Sequence, residues 1–222
     1  MSGFLDGTWT PAPGGRYRNR YDAGRALAAA LKDTVPTWEG KGVVVGLPRG
    51  GMIVARAVAN DLKLPIDFRA VRKIGYPGHE EFAIGAADIS GVAVKNPTLG
   101  MSEMPPADEF DRLAKRALER AREIDQELRG GRPSAIKDAD WCLVVDDGAA
   151  TGLTILAVVK GLKAEGKKVH VAVPVASDQA EVMISKEADS FMALEVPRWF
   201  MAVSQFYEDF GEVTTEEAKR TL

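Results

Sequence analysis

A single cysteine, Cys142, is all the thiol chemistry this chain carries, so an intramolecular disulfide is excluded. Cys142 lies in an apolar run and reads as a small core residue rather than a nucleophile. Its use suits a reducing cytoplasm, the expected location. Only two histidines occur, His79 and His170, too far apart in sequence to build a zinc site with one cysteine. No run of about 18 apolar residues is present, which removes a membrane span from consideration. Charge of one sign is missing too: 29 Lys and Arg against 32 Asp and Glu leave a net charge of −3, no field for nucleic acid phosphates. Gly46 to Gly51 is followed by Met52 rather than lysine, and neither a P-loop nor a dinucleotide-binding glycine motif is complete. The G-x-S-x-G elbow of serine hydrolases is absent as well.

What is there suits one enzyme-sized domain over 1–222. Hydrophobic residues make up 45% and charged residues 27%, near globular averages. A chain of 222 residues buries about 70% of its unfolded surface and needs no staples. Met1 to Gly15, with Asp6, two prolines and four glycines, reads as a loose arm and not as a secretory signal.

Apolar spacing predicts a helix over Arg20 to Lys32, then a β-branched strand Gly42 to Gly46, a turn at Pro48-Arg49-Gly50-Gly51, and a helix Met52 to Leu62. Ile66 to Val71 reads as a strand. It runs into a region over 73–92, rich in Gly, Pro and charge, that reads as a flexible loop. Asp108 to Leu128 is the longest helical pattern, with balanced charges that read as a solvated face. Trp141 to Val145 is a buried strand, followed by helix Leu153 to Leu162, strand Val169 to Val175, a helix near Gln179 to Lys186 and strand Phe191 to Val196. Strands apolar on both faces and alternating with helices predict an α/β fold with a central parallel sheet flanked by helices. Thr214 with Glu217 three residues on forms a capping-box pattern for a last helix.

Chemistry concentrates where Leu143-Val144-Val145 meets Asp146-Asp147-Gly148-Ala149-Ala150-Thr151-Gly152-Leu153-Thr154. Ligands of open parallel sheets bind beyond the carboxyl ends of strands, and a helix N-terminus offers free N–H groups to phosphate. Gly148 and Gly152 allow close backbone approach, and Thr151 and Thr154 add hydroxyls. Two carboxylates ahead of an anion cradle suit a sugar, whose hydroxyls donate to them. The alternative for the two acids is a simple turn or cap.

These twelve positions resemble the phosphoribosyl-pyrophosphate motif of type I phosphoribosyltransferases. Nearly the whole chain is similar to a bacterial and archaeal phosphoribosyltransferase group with G-L-P-R-G-G, V-R-K-x-G and F-Y-E-D-F segments and no settled acceptor. The resemblance implies the type I phosphoribosyltransferase-like fold with a small hood, here 195–210, and a flexible loop. It implies transfer of phosphoribosyl from phosphoribosyl pyrophosphate to a small-molecule nitrogen acceptor, with Mg2+ as cofactor, and commonly a homodimer. By position, Asp146 and Asp147 would hold the ribose hydroxyls and Ala149 to Thr154 the 5′-phosphate. Magnesium would be bound through substrate oxygens, with Asp146 or Asp147 as the protein's contribution. Arg49, Gly50 and Gly51 fall at the pyrophosphate loop, where a cis peptide between Pro48 and Arg49 is expected. Arg72 and Lys73 match the catalytic loop as cations for the leaving pyrophosphate, although taken alone they read equally as solvated charges. His79 and Glu80 are weaker acceptor-side candidates. Trp199 and Phe200, in the hood, read equally as base-stacking and as packing residues. Members acting on 6-oxopurines carry aspartate where Ala150 stands; the D-D-x-x-A-T-G form is nearer adenine- and uracil-type members and leaves the base open. A non-catalytic regulator that keeps the same sugar-phosphate site is the alternative function.

Overall fold

The computed structural model describes residues 3–5, 8–10 and 16–222. Strands β1 (Gly3–Leu5) and β2 (Thr8–Thr10) pair antiparallel; the rest of the arm expected over 1–15 lies outside the described residues. The main sheet follows from the apolar, β-branched runs: β3 (Gly42–Gly46), β4 (Ile66–Phe68), β8 (Trp141–Val145), β9 (Lys168–Val175) and β10 (Ser190–Glu195). All its pairings are parallel, in the order β10-β9-β8-β3-β4.

Alternation along each strand feeds two cores. Val43 and Val45 of β3 with Cys142 and Val144 of β8 point to one face, under α4 (Leu153–Ala164) and α5 (Asp178–Ser185). Val44 with Trp141, Leu143 and Val145 point to the other, under α1 (Arg20–Leu31) and α2 (Gly50–Leu62). Strands buried on both faces are what continuous apolar runs encode. Burial pushes the Cys142 thiol up to about 12, in keeping with a core role. His170 is likewise structural: it stacks on Trp38 with centroids 3.6 Å apart and bonds Ser190 Oγ at 2.8 Å. No helix among the described residues is long and apolar enough to cross a membrane.

Two expectations need correction. The strand expected over Ile66 to Val71 is broken at Arg69. The buried Arg69 guanidinium turns to meet Asp88 with two hydrogen bonds of 2.8 Å and Glu165 at 2.6 Å, and Val71 starts a different sheet. The region 73–92 is not a loop but lies largely in a second, antiparallel sheet of β5 (Val71–Tyr76), β6 (His79–Asp88) and β7 (Ala93–Lys95). Pro77-Gly78, with Gly78 at φ +76°, makes the two-residue turn, and Ile74, Ile84 and Ala87 pack on Phe110 and Ala117 of α3 (Ala107–Arg129). Turn residues and charges masked these apolar positions. The chain closes with α6 (Thr215–Lys219), whose Thr214–Glu217 capping box forms as expected.

Candidate active site

The turn after β3 and the turn after β8 emerge side by side, because β3 and β8 are paired neighbours at the carboxyl end of the sheet. The contact is close. A Cβ on Gly50 would collide with Asp147 Oδ2, and one on Gly51 would stand 2.5 Å from Asp146 Oδ1 and 2.9 Å from Asp146 Cα. The glycine pair is therefore what lets α2 start against the two acids. The peptide between Pro48 and Arg49 is cis, as expected.

Each acid already spends one oxygen within the protein. Asp146 Oδ1 accepts from the Asp147 N–H at 2.9 Å, and Asp147 Oδ2 accepts from Arg20 Nε at 2.7 Å. One oxygen of each carboxylate remains without a protein donor among the described residues. Burial and the neighbouring Asp147 charge push Asp146 well above the ordinary carboxylate value. Burial raises Asp147 as well, against the opposing hydrogen bond from Arg20. Lys73 lowers both, so its ammonium acts on the pair electrostatically. Arg72, the adjacent residue of β5, is exposed and is not among the charges that act on either acid.

Beyond the acids, Ala149 is pinned: its N–H donates to Val175 O at 2.9 Å, and its carbonyl accepts from Ser177 N at 2.9 Å. That amide is not available to a phosphate, contrary to the expectation for Ala149. The N–H groups from Ala150 to Thr154, and the Thr151 and Thr154 hydroxyls, have no acceptor among the described residues. They ring the N-terminus of α4, where Gly152 adopts φ +69° to turn the chain. Ser177 Oγ braces this turn through Ala150 O at 2.6 Å.

Arg49 bonds Glu212 at 2.5 Å, with Glu212 mostly exposed. His79 and Glu80 start β6 beside the hairpin turn, exposed and without a hydrogen bond or ion pair to either acid. In the hood, Val203 would be struck by a Cβ on Gly148, so this segment lies on the turn after β8. Trp199 is 86% exposed, and Phe200 is half-buried with its ring 5.4 Å from Phe206. The structure thus brings Gly50, Gly51, Asp146, Asp147, the Ala150 to Thr154 turn and the Lys73 charge together. Arg72, His79 and Glu80 stand apart.

Three participants carried no site role in the sequence, where Tyr207 and Phe210 read as core or interface anchors. Arg20 binds Asp147, Tyr207 Oη donates to Asp147 O at 2.6 Å, and the Phe210 ring lies 3.7 Å from the Arg20 guanidinium carbon. Arg20 and Tyr207 are 127 and 60 positions from Asp147, and no local pattern signals such pairs.

The family model for the phosphoribosyl transferase domain matches residues 16–210. Proteins from two Mycobacterium tuberculosis strains, provisionally named phosphoribosyl transferases MT0597 and Rv0571c, are 36% identical over 203 residues. That covers 90% of this chain and 45% of theirs, so the chain spans about half the length of the curated relatives it matches. The crystal structure of TT1426 from Thermus thermophilus superposes with a TM-score of 0.75 at 39% identity, covering 93% of this chain and 97% of that one. The matched span carries both turns at the carboxyl end of the sheet together with the hood, and by that match the chain belongs to the phosphoribosyl transferase domain family.

Proposed function

We propose that the chain is a phosphoribosyltransferase acting on phosphoribosyl pyrophosphate and a nitrogen acceptor. The observation that carries this reading is the adjacency of two kinds of unspent group. One carboxylate oxygen each from Asp146 and Asp147, and the amides from Ala150 to Thr154 that follow them in the same turn, have no partner among the described residues. Vicinal ribose hydroxyls need two acceptors, and a 5′-phosphate a few atoms away needs several donors. This arrangement offers both.

In the proposed reaction the acceptor nitrogen attacks the anomeric carbon as its bond to the pyrophosphate oxygen breaks. The pyrophosphate leaves with the electron pair, the acceptor nitrogen gives up its proton to solvent, and the configuration inverts. The two acids below the ring favour the cationic character that develops at that carbon. Lys73 and Arg49, with the backbone at Gly50 and Gly51, would receive the leaving group; Arg49 must first leave Glu212. Two carboxylates give hard oxygen donors but not a full octahedral shell, so substrate oxygens and water would complete the coordination of magnesium. When bound, magnesium would neutralise charge on the pyrophosphate. Trp199, exposed within the hood segment, is the group available to stack on a flat acceptor. The reading includes a homodimer in the cytoplasm.

The test is to incubate the protein with phosphoribosyl pyrophosphate, Mg2+ and a panel of nitrogen bases and to follow pyrophosphate release. Turnover with one base is the expected result. Tight donor binding without turnover on any base would favour the non-catalytic regulator, and absence of donor binding would refute both. Replacing Asp146→Asn together with Asp147→Asn should abolish donor binding in a protein that still folds.

A further inference from the structure

Arg20 opens α1, where an arginine ordinarily extends into solvent, yet its side chain is only 12% exposed. Four neighbours hold it. Its Nε donates to Asp147 Oδ2 at 2.7 Å, its Nη1 donates to the carbonyl of Gly211 at 2.8 Å, and its guanidinium carbon lies 3.7 Å from the Phe210 ring centroid. A Cβ on Gly50 would come within 2.8 Å of its Nε, so the turn after β3 forms the fourth wall. The same C-terminal segment donates the Tyr207 hydroxyl to the Asp147 carbonyl at 2.6 Å. Arg20 therefore holds the carboxylate of Asp147, 127 positions away, while the C-terminal segment holds the Asp147 backbone and Arg20 itself.

We infer that Arg20 is a positioning residue for Asp147. It fixes one carboxylate oxygen so that the other is presented to a ribose hydroxyl of the bound sugar phosphate. This deepens the phosphoribosyltransferase reading and rests on it. The guanidinium suits the task because its planar fork serves two acceptors in fixed directions while its face lies on an aromatic ring, which a lysine ammonium cannot reproduce. Its Nε and one Nη1 hydrogen are committed to Asp147 and Gly211, and the binding cycle with Asp147→Asn separates an effect passed through the carboxylate from direct contact by its three remaining N–H groups.

A binding cycle tests the inference. Calorimetric affinities for phosphoribosyl pyrophosphate with Mg2+, for ribose 5-phosphate and for pyrophosphate alone are measured on the native chain and on Arg20→Ala, Arg20→Lys, Asp147→Asn and the Arg20→Ala/Asp147→Asn double variant. Arg20→Ala is expected to weaken both sugar ligands by roughly ten- to a hundredfold, the range for a lost charged hydrogen bond, while pyrophosphate affinity stays unchanged. Arg20→Lys should recover part of the loss. In the Asp147→Asn background, removal of Arg20 should cost little more. Additive losses, or an equal loss of pyrophosphate affinity, would overturn the positioning role. If Arg20→Ala fails to fold, the same cycle built on Arg20→Lys decides the matter. A native chain that binds no sugar phosphate defeats the functional reading and the inference together, whereas native binding matched by Arg20→Ala defeats the inference alone.

Discussion

Gly51→Ala is the sharpest probe of how α2 meets the two acids. The added methyl would stand 2.5 Å from Asp146 Oδ1, 2.9 Å from Asp146 Cα and 3.1 Å from Val145 O, all inside the 3.4–4 Å of ordinary contact. Two of the three are backbone atoms at the end of a central strand paired on both sides, so the strain cannot be relieved by a rotamer change. Overpacking of this kind costs about 1–3 kcal/mol. Alanine recovers roughly 0.5–1 kcal/mol of helix entropy relative to glycine. The difference spans about 0–2.5 kcal/mol, and contacts of 2.5 Å and 2.9 Å place it in the upper part, about 1–2.5 kcal/mol, or a melting midpoint lowered by about 2–10 °C in a chain of this size. Gly100→Ala serves as the control, since its Cβ would meet only Glu103 Oε2 at 3.5 Å and Ser102 Oγ at 3.9 Å. Its stability should change by less than about 0.5 kcal/mol. Displacing the turn by a fraction of an ångström should also cost donor affinity about tenfold, measured by calorimetry. If Gly51→Ala melts with the native chain and binds donor equally well, the close seating of α2 on Asp146 is wrong.

Arg69→Ala should lose about 3–5 kcal/mol in urea unfolding, because Asp88, fully buried, would keep only its Ser90 donors; a loss below about 1 kcal/mol would deny the pair its structural weight. Glu212→Gln releases Arg49 from an exposed ion pair. Stability should stay within about 1 kcal/mol, and pyrophosphate affinity should rise by up to about fivefold, most at low salt; unchanged affinity would exclude Arg49 from the anion site. Burial lowers the pKa of His170 below the ordinary 6.5, so the unfolded chain binds the extra proton first. Stability is then full above 6.5 and falls as pH drops below it, and His170→Phe, which keeps a ring against Trp38, should flatten that part of the stability profile in thermal melts.

The parallel sheet was readable because strands such as Val43-Val44-Val45 and Trp141 to Val145 are apolar at every position, a pattern that only two-sided burial explains. The acids and the turn after them were readable for a related reason: strand end, carboxylates, glycines and helix start are contiguous, so their neighbourhood is fixed by covalent connection. The region 73–92 was misread because Gly75, Pro77, Gly78 and His79 look like loop chemistry, and its pairing depends on α3 and α4 packing against it. Arg72 and Lys73 were indistinguishable as a dipeptide; in the structure only Lys73 acts on the charge of the two acids.

By itself the sequence determined the layers of the fold and the presence of a diacid followed by a glycine-bounded turn into a helix, since periodicity and adjacency act over a few residues. The tertiary structure alone decided which oxygens of that diacid lack a donor among the described residues and that the Ala149 amide is engaged. It also decided that Arg20, Tyr207 and Phe210 complete the surround. Those facts depend on chain ends meeting across the sheet, and hydrogen bonds between such distant partners are specified by packing geometry rather than by any local run of residues.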